Sequence, residues 1–192
     1  MRILSGILFG AFACWTAQTF AVEVAGVKVE DRIKLGSSEL VLNGAGLRTK
    51  SFFKVYVAGL YLAAKKTSAD DVLALPGAKR VSMRLMRDLS AKQLTDALEE
   101  GIRDNTPTPE QEALKGRLAE LTAIMSSLQS AKEGDVIALD WVPGSGTRIV
   151  LNGELRGKPI AGENFYRALL RIWLGDNPVS VSLKKALLGQ GG

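Results

Sequence analysis

Apolar and polar residues alternate with a period of two along much of this chain and give way in blocks to a period near 3.6, so both strands and helices are expected. Residues 22–29 alternate and are interrupted at Gly26, which predicts a hairpin that pairs with a strand over 33–35. Residues 39–42 continue the sheet, and Asn43-Gly44 reads as a hairpin turn because both residue types tolerate positive φ. A long strand then runs to Leu62. Strand periodicity places Arg48, Lys50, Phe52, Lys54, Tyr56, Ala58, Leu60 and Leu62 on one face, with Phe53, Val55, Val57, Gly59 and Tyr61 on the other. Beyond residue 55 both faces are largely apolar, the pattern of a central strand covered on both sides.

A short helix over 68–75 is capped by Ser68 and ended by Pro76-Gly77. Residues 80–87 read as a strand, with Val81, Met83 and Leu85 facing one way and the charges at an exposed face or edge. Ser90 with Gln93 forms a capping box, and Leu94, Ala97, Leu98 and Ile102 recur at helical spacing up to Asn105. After Pro107, a second cap at Thr108 with Gln111 restarts a longer helix whose stripe is Leu114, Leu118, Leu121, Met125 and Leu128. A three-stranded meander over 136–142, 147–151 and 154–160 follows, turning at 143–146 and at Asn152-Gly153. Gly144-Ser145-Gly146 has neither the following helix nor the Lys-Ser/Thr of a phosphate loop, so it reads as a turn. Helical spacing returns over 163–173, ending at Gly175, and a last helix starting at Ser180 or Ser182 runs to Leu188.

Composition narrows the chemistry. With 192 residues, 46% of them hydrophobic and 23% charged, the chain suits one domain with a sizeable core and neither a disordered nor a multi-pass membrane protein. Residues 1–21 stand apart as a signal peptide: Arg2, an apolar stretch over 3–15, then Thr19-Phe20-Ala21 before a mature start at Val22. Residues 22–192 are then a single domain, periplasmic or secreted. The alternatives are an N-terminal anchor, for which the apolar run falls short of the ~20 residues that span a bilayer, and a lipid-modified Cys14, which lacks the Leu expected upstream. No stable membrane insertion is expected after cleavage.

Cleavage would remove Cys14, the only cysteine, and the chain has no histidine. Disulfides, Ser-His-Asp sites and Cys-His sites are therefore excluded, and a transition metal would find carboxylates only. No cofactor and no metal are expected. The net charge of +5 falls to +4 when Arg2 is lost, and the cations are scattered, Lys65-Lys66 and Lys184-Lys185 being the densest pairs. Without an aromatic-interleaved basic stripe, nucleic acid is not an expected partner.

Asn43-Gly44-Ala45-Gly46-Leu47-Arg48, the strand over 53–62, and Ala168-Leu169-Leu170-Arg171-Ile172-Trp173-Leu174-Gly175-Asp176-Asn177-Pro178-Val179 leading to Leu183-Lys184 together resemble the chalcone isomerase-like family, most closely its bacterial exported branch. The resemblance spans nearly all of the mature chain. It implies an α+β fold, an open-faced antiparallel β-sandwich with helices packed on one face and a ligand cleft between helices and sheet. Plant members cyclise a chalcone to a flavanone, and fatty-acid-binding members hold an acyl chain whose carboxylate pairs with an Arg.

Arg48 matches that Arg, and Tyr56 falls where the isomerases have Thr and the fatty-acid binders have Tyr. The isomerases also carry a Tyr and an Asn on the helix corresponding to 89–105, where this chain offers Lys92 or Gln93 and Glu99 or Glu100. The resemblance thus implies a binder of a fatty acid or a similar amphipathic, polyphenol-like anion, held by Arg48 and Tyr56 without catalysis. The alternative is an isomerase, an intramolecular lyase in which Arg48 is the catalytic residue that stabilises an oxyanion. A buried carboxylate requires a paired, hydrogen-bonding cation, and the guanidinium fork holds both oxygens. Taken alone, Arg48 reads as a surface residue beside a turn. Tyr61 is expected in packing on the opposite face. Trp141 and Trp173 are core aromatics or cleft wall, and Lys50 and Lys54 either raise the potential near Arg48 or are solvated strand ends.

Overall fold

The computed structural model describes residues 21–191 apart from residue 129; residues 1–20, which carry most of the expected signal segment and Cys14, lie outside the described residues. Strands β1 (Ala21–Val24) and β2 (Val27–Glu30) form a hairpin of their own. β3 (Arg32–Leu35), β4 (Ser38–Lys50) and β5 (Phe53–Leu62) follow, then α1 (Ala69–Ala74) and β6 (Lys79–Leu85). The helical block comprises a two-residue β7 (Leu89–Ser90), α2 (Ala91–Asn105), α3 (Thr108–Ser127) and a two-residue β8 (Ser130–Ala131) that pairs with β7. The meander β9 (Val136–Val142), β10 (Gly146–Leu151) and β11 (Glu154–Ile160) leads to α4 (Glu163–Leu174) and α5 (Val181–Leu187).

Seven strands make one antiparallel sheet in the order β11-β10-β9-β6-β5-β4-β3, and the sheet is curled with the helices on one face, the expected α+β architecture. Alternation sorts its side chains into two cores. Tyr56, Ala58, Leu60 and Leu62 of β5 join Val81, Met83, Ile137 and Leu139 on the front face, under the apolar stripes of α2, α3 and α4. Val57 and Tyr61 join Leu40, Leu42 and Val29 on the back, where the β1–β2 hairpin lies across the sheet. The Tyr61 hydroxyl donates to the Glu30 carbonyl at 3.0 Å, which ties that hairpin down.

The structure redraws the beginning of the sheet. β3 pairs with β4, not with the β1–β2 hairpin, whose residues belong to a separate two-stranded sheet. Asn43-Gly44 is not a turn: β4 runs straight through it with a bulge between Leu42 and Gly44, and the chain reverses at Ser51-Phe52 instead, with Ser51 at φ 55°. Asn43 is buried and spends its amide on tertiary contacts. Its nitrogen donates to the carbonyls of Lys66 (2.9 Å) and Leu187 (2.7 Å), and its oxygen accepts from the Lys66 N–H at 2.6 Å. Gly44 and Gly46 lack side chains because α5 rests on the strand there; a Cβ on Gly46 would stand 2.6 Å from that of Ala186, and one on Gly44 would run into the Ala186 carbonyl.

Two further expectations are corrected. β6 lies in the middle of the sheet, so its charges are not at an edge; Arg84 and Arg87 are exposed as expected, and Arg80 is the one drawn inward. Lys79 is fully buried 3.6 Å from Glu163, and Arg80 holds the buried Asp140 of β9 through two nitrogens, at 2.5 and 2.6 Å. At α3, Thr108 makes no cap: Pro107 is the N-cap residue, and Gln111 donates to the carbonyls of Arg103 and Thr106, closing the end of α2. The Ser68, Ser90–Gln93 and Ser180 caps form as expected.

Candidate functional site

Opposed to each other in the β4–β5 register, Arg48 and Tyr56 occupy one face of the hairpin near its turn. Both line a cavity of about 430 Å³ between the front of the sheet and the helices, a size common for small-molecule sites. The sheet contributes Val55, Met83, Ile137 and Leu139 to its walls; α2 contributes Leu94, Ala97 and Leu98, α3 Met125, and α4 Ile172 and Trp173. Ala97 and Leu94 belong to the helical stripe without being fully buried because their part of the stripe faces this space.

The inner wall is apolar and its polar groups are few. Trp173 donates its indole N–H to the Tyr56 hydroxyl at 2.9 Å, and this bond is buried. With that oxygen already accepting, the phenolic proton is left to point elsewhere, so Tyr56 offers one O–H donor beside the guanidinium. The Arg48 guanidinium carbon lies 5.9 Å from the centre of the Tyr56 ring. Arg48 is half-buried and makes no ion pair among the described residues, so its fork is available to an anion.

Burial raises the Tyr56 pKa to about 12 against the opposing pull of Arg48 and the Trp173 bond. The phenol is therefore neutral at physiological pH, a donor and not a base. A raised folded-state value adds nothing to stability changes below the unfolded value near 10, where both states hold the proton. Between about pH 10 and 12 the unfolded chain loses the proton first. Denaturant titrations are expected to give a stability difference between the wild type and Tyr56→Phe that is constant from pH 7 to about 10 and moves against the wild type above it.

On α2, the cavity is met by Gln93 and Glu100, which resolves the two pairs of inward candidates. Lys92 instead pairs with Asp96 at 2.7 Å, and Glu99 accepts from the Thr122 hydroxyl at 2.8 Å. Lys50 lines the open end, whereas Lys54 does not line the cavity. Trp173 is cavity wall as well as core; Trp141 packs near Tyr166 with ring centres 6.1 Å apart, away from the lining. Arg87 was not among the sequence candidates. It follows β6 and is held over the Phe53 ring at 5.0 Å because the Met86 N–H bonds to the Val55 carbonyl at 2.9 Å. Its only sequence signal was a cation one step past an apolar strand.

No cluster of His, Cys, Asp and Glu among the described residues has the arrangement of a metal site, and no described helix is long and apolar enough to cross a membrane. A curled antiparallel sheet with a helical roof, an apolar cavity between them and an Arg–Tyr pair in its wall define an α+β half-barrel class. The chain belongs to the chalcone isomerase-like family, whose sequence model matches residues 21–189. Among solved structures it is similar to the fatty-acid-binding protein of Arabidopsis thaliana, with a TM-score of 0.67 and 18% identity over 86% of this chain and 93% of that one. At that identity the likeness is one of fold. No curated protein sequence matches significantly.

Proposed function

We propose that this protein is an exported binder of a fatty acid or similar amphipathic anion, acting after removal of residues 1–21 and without catalysing a reaction on its ligand. The observation that carries the reading is the pairing, in an apolar cavity, of an Arg48 fork without an ionic partner among the described residues with a Tyr56 hydroxyl whose acceptor site is taken by Trp173. A carboxylate there meets charge-assisted hydrogen bonds and its chain meets Met83, Met125, Ile137 and Leu139. The fatty-acid-binding protein of similar fold supports the ligand class.

A second reading keeps the isomerase activity, since the same two donors suit a developing oxyanion. Tyr56, held neutral with its pKa near 12, supplies a hydrogen bond in either case. Titration of a fluorescent long-chain acyl probe against the purified mature protein, alongside decay of chalcone absorbance, separates them. Saturable probe binding with chalcone decaying at the buffer rate is the expected outcome; the reverse pattern overturns it. Tyr56→Phe is expected to weaken the probe by about 3- to 10-fold, the worth of one hydrogen bond. The intact mass of protein recovered after export is expected to begin at Val22.

A further inference from the structure

The β4–β5 turn carries two neighbouring aromatic residues in water. Phe52 is 100% exposed and Phe53 61%, and they are the only aromatics among the exposed large hydrophobic residues of the described chain. A strand turn ordinarily carries polar residues, and nothing in the fold requires Phe at the tip. Around the pair stand Lys50, Lys54 and Arg87, all exposed, with Arg48 just behind. Of the nearby acids, Asp88 is engaged by Lys132 at 3.0 Å and Asp96 by Lys92 at 2.7 Å. Glu100, one turn further along α2, also lines the cavity, but Arg48, Lys50, Lys54 and Arg87 outnumber it and the tip is left cationic. It is also the open end of the cavity, which Lys50, Ser51, Phe53 and Arg87 line.

We propose that this turn docks the protein on an anionic lipid bilayer, with Phe52 and Phe53 seated at the level of the headgroups and the cations on lipid phosphates, so that the cavity opens toward the membrane. Exposed Phe rings bury their apolar surface at the headgroup–acyl boundary, and Lys and Arg beside them are drawn to anionic headgroups within a Debye length. An exposed apolar tip with a cationic collar is complementary to such a surface and not to neutral solvent. The inference deepens the ligand reading and rests on it for its purpose: an amphipathic anion passes between bilayer and cavity without crossing water.

Co-sedimentation with phosphatidylcholine vesicles, with and without phosphatidylglycerol, tests it. The protein is expected to sediment with the anionic vesicles, to be released by salt, and to leave the zwitterionic ones largely unbound. Phe52→Ser and Lys54→Glu, neither of which lines the cavity, are each expected to lower partitioning about tenfold while leaving binding of a soluble acyl probe unchanged. Absence of sedimentation, equal partitioning onto both vesicle types, or partitioning unaffected by Phe52→Ser overturns the inference. Probe binding without vesicle binding removes the docking and leaves the ligand reading; vesicle binding without probe binding does the opposite.

Discussion

Arg48→Ala is expected to weaken binding of a long-chain acyl probe by about 30- to 150-fold, or 2–3 kcal/mol, the worth of a charge-assisted bond in a partly desolvated site. The figure stays at the lower end of the range for such pairs because Arg48 is half-buried and water reaches it. Arg48→Lys keeps the charge and loses the fork, so an intermediate loss is expected. Removing Arg48 leaves the Tyr56 donor and the apolar walls intact, so a probe lacking the carboxylate should lose little. Equal losses for the acid and its uncharged alcohol would move the role of Arg48 from anion pairing to wall packing. Fluorescence titration of both probes against the three proteins decides between these.

Arg80→Met is expected to cost about 3–5 kcal/mol of folding stability, since it strands a charged partner inside the sheet. Asp140 is fully buried on β9, and Arg80 faces it directly across from β6. Asp140→Leu should cost less, because 22% of the Arg80 side chain already reaches solvent and its long stem lets the charge follow. The double variant Arg80→Met with Asp140→Leu removes both charges and should recover much of the loss. Denaturant unfolding of the four proteins gives the coupling; additive losses would mean that the two bonds contribute little beyond each side chain's own packing.

The order of the elements was legible because period two and period 3.6 survive the tertiary context wherever one face of an element is buried. The meander, the α2 capping box and the stripes of α3 and α4 follow from local chemistry alone. Asn43-Gly44 misled for a physical reason. The turn preference of this pair is worth less than the three hydrogen bonds the Asn43 amide makes to Lys66 and Leu187, and the bare backbone of Gly44 is needed by a helix almost at the end of the chain. Contacts of that sequence separation leave no trace in local pattern. Among the charges of residues 80–87 only Arg80 departs from the exposed face, because the partner that draws it inward lies 60 residues away.

For the site, Arg48 and Tyr56 come from resemblance to a family, and the structure sets them opposite each other across the hairpin. The strict alternation expected from 48 to 62 fails between them, because the turn and a register shift at Arg48/Thr49 bring Phe53 and Val55, expected on the other face, into the same cavity lining. The sequence leaves Trp173 between core and cleft wall, since a helical stripe does not reveal where a roof lifts off its sheet. Arg87 escaped because its place over Phe53 depends on a strand extension formed by one bond, Met86 to Val55.

The central claim is that Arg48 holds the carboxylate of a bound amphipath. Nuclear magnetic resonance of a long-chain fatty acid, isotope-labelled at its carboxyl carbon and bound to the mature protein, reads this directly through the carboxyl titration. Beside the Arg48 guanidinium and the Tyr56 donor, the bound acid is expected to titrate about 1–2 units below the ordinary carboxyl value near 4.3, and to return to or above that value in Arg48→Ala. A carboxyl that titrates as it does in water, and identically in both proteins, would contradict the account.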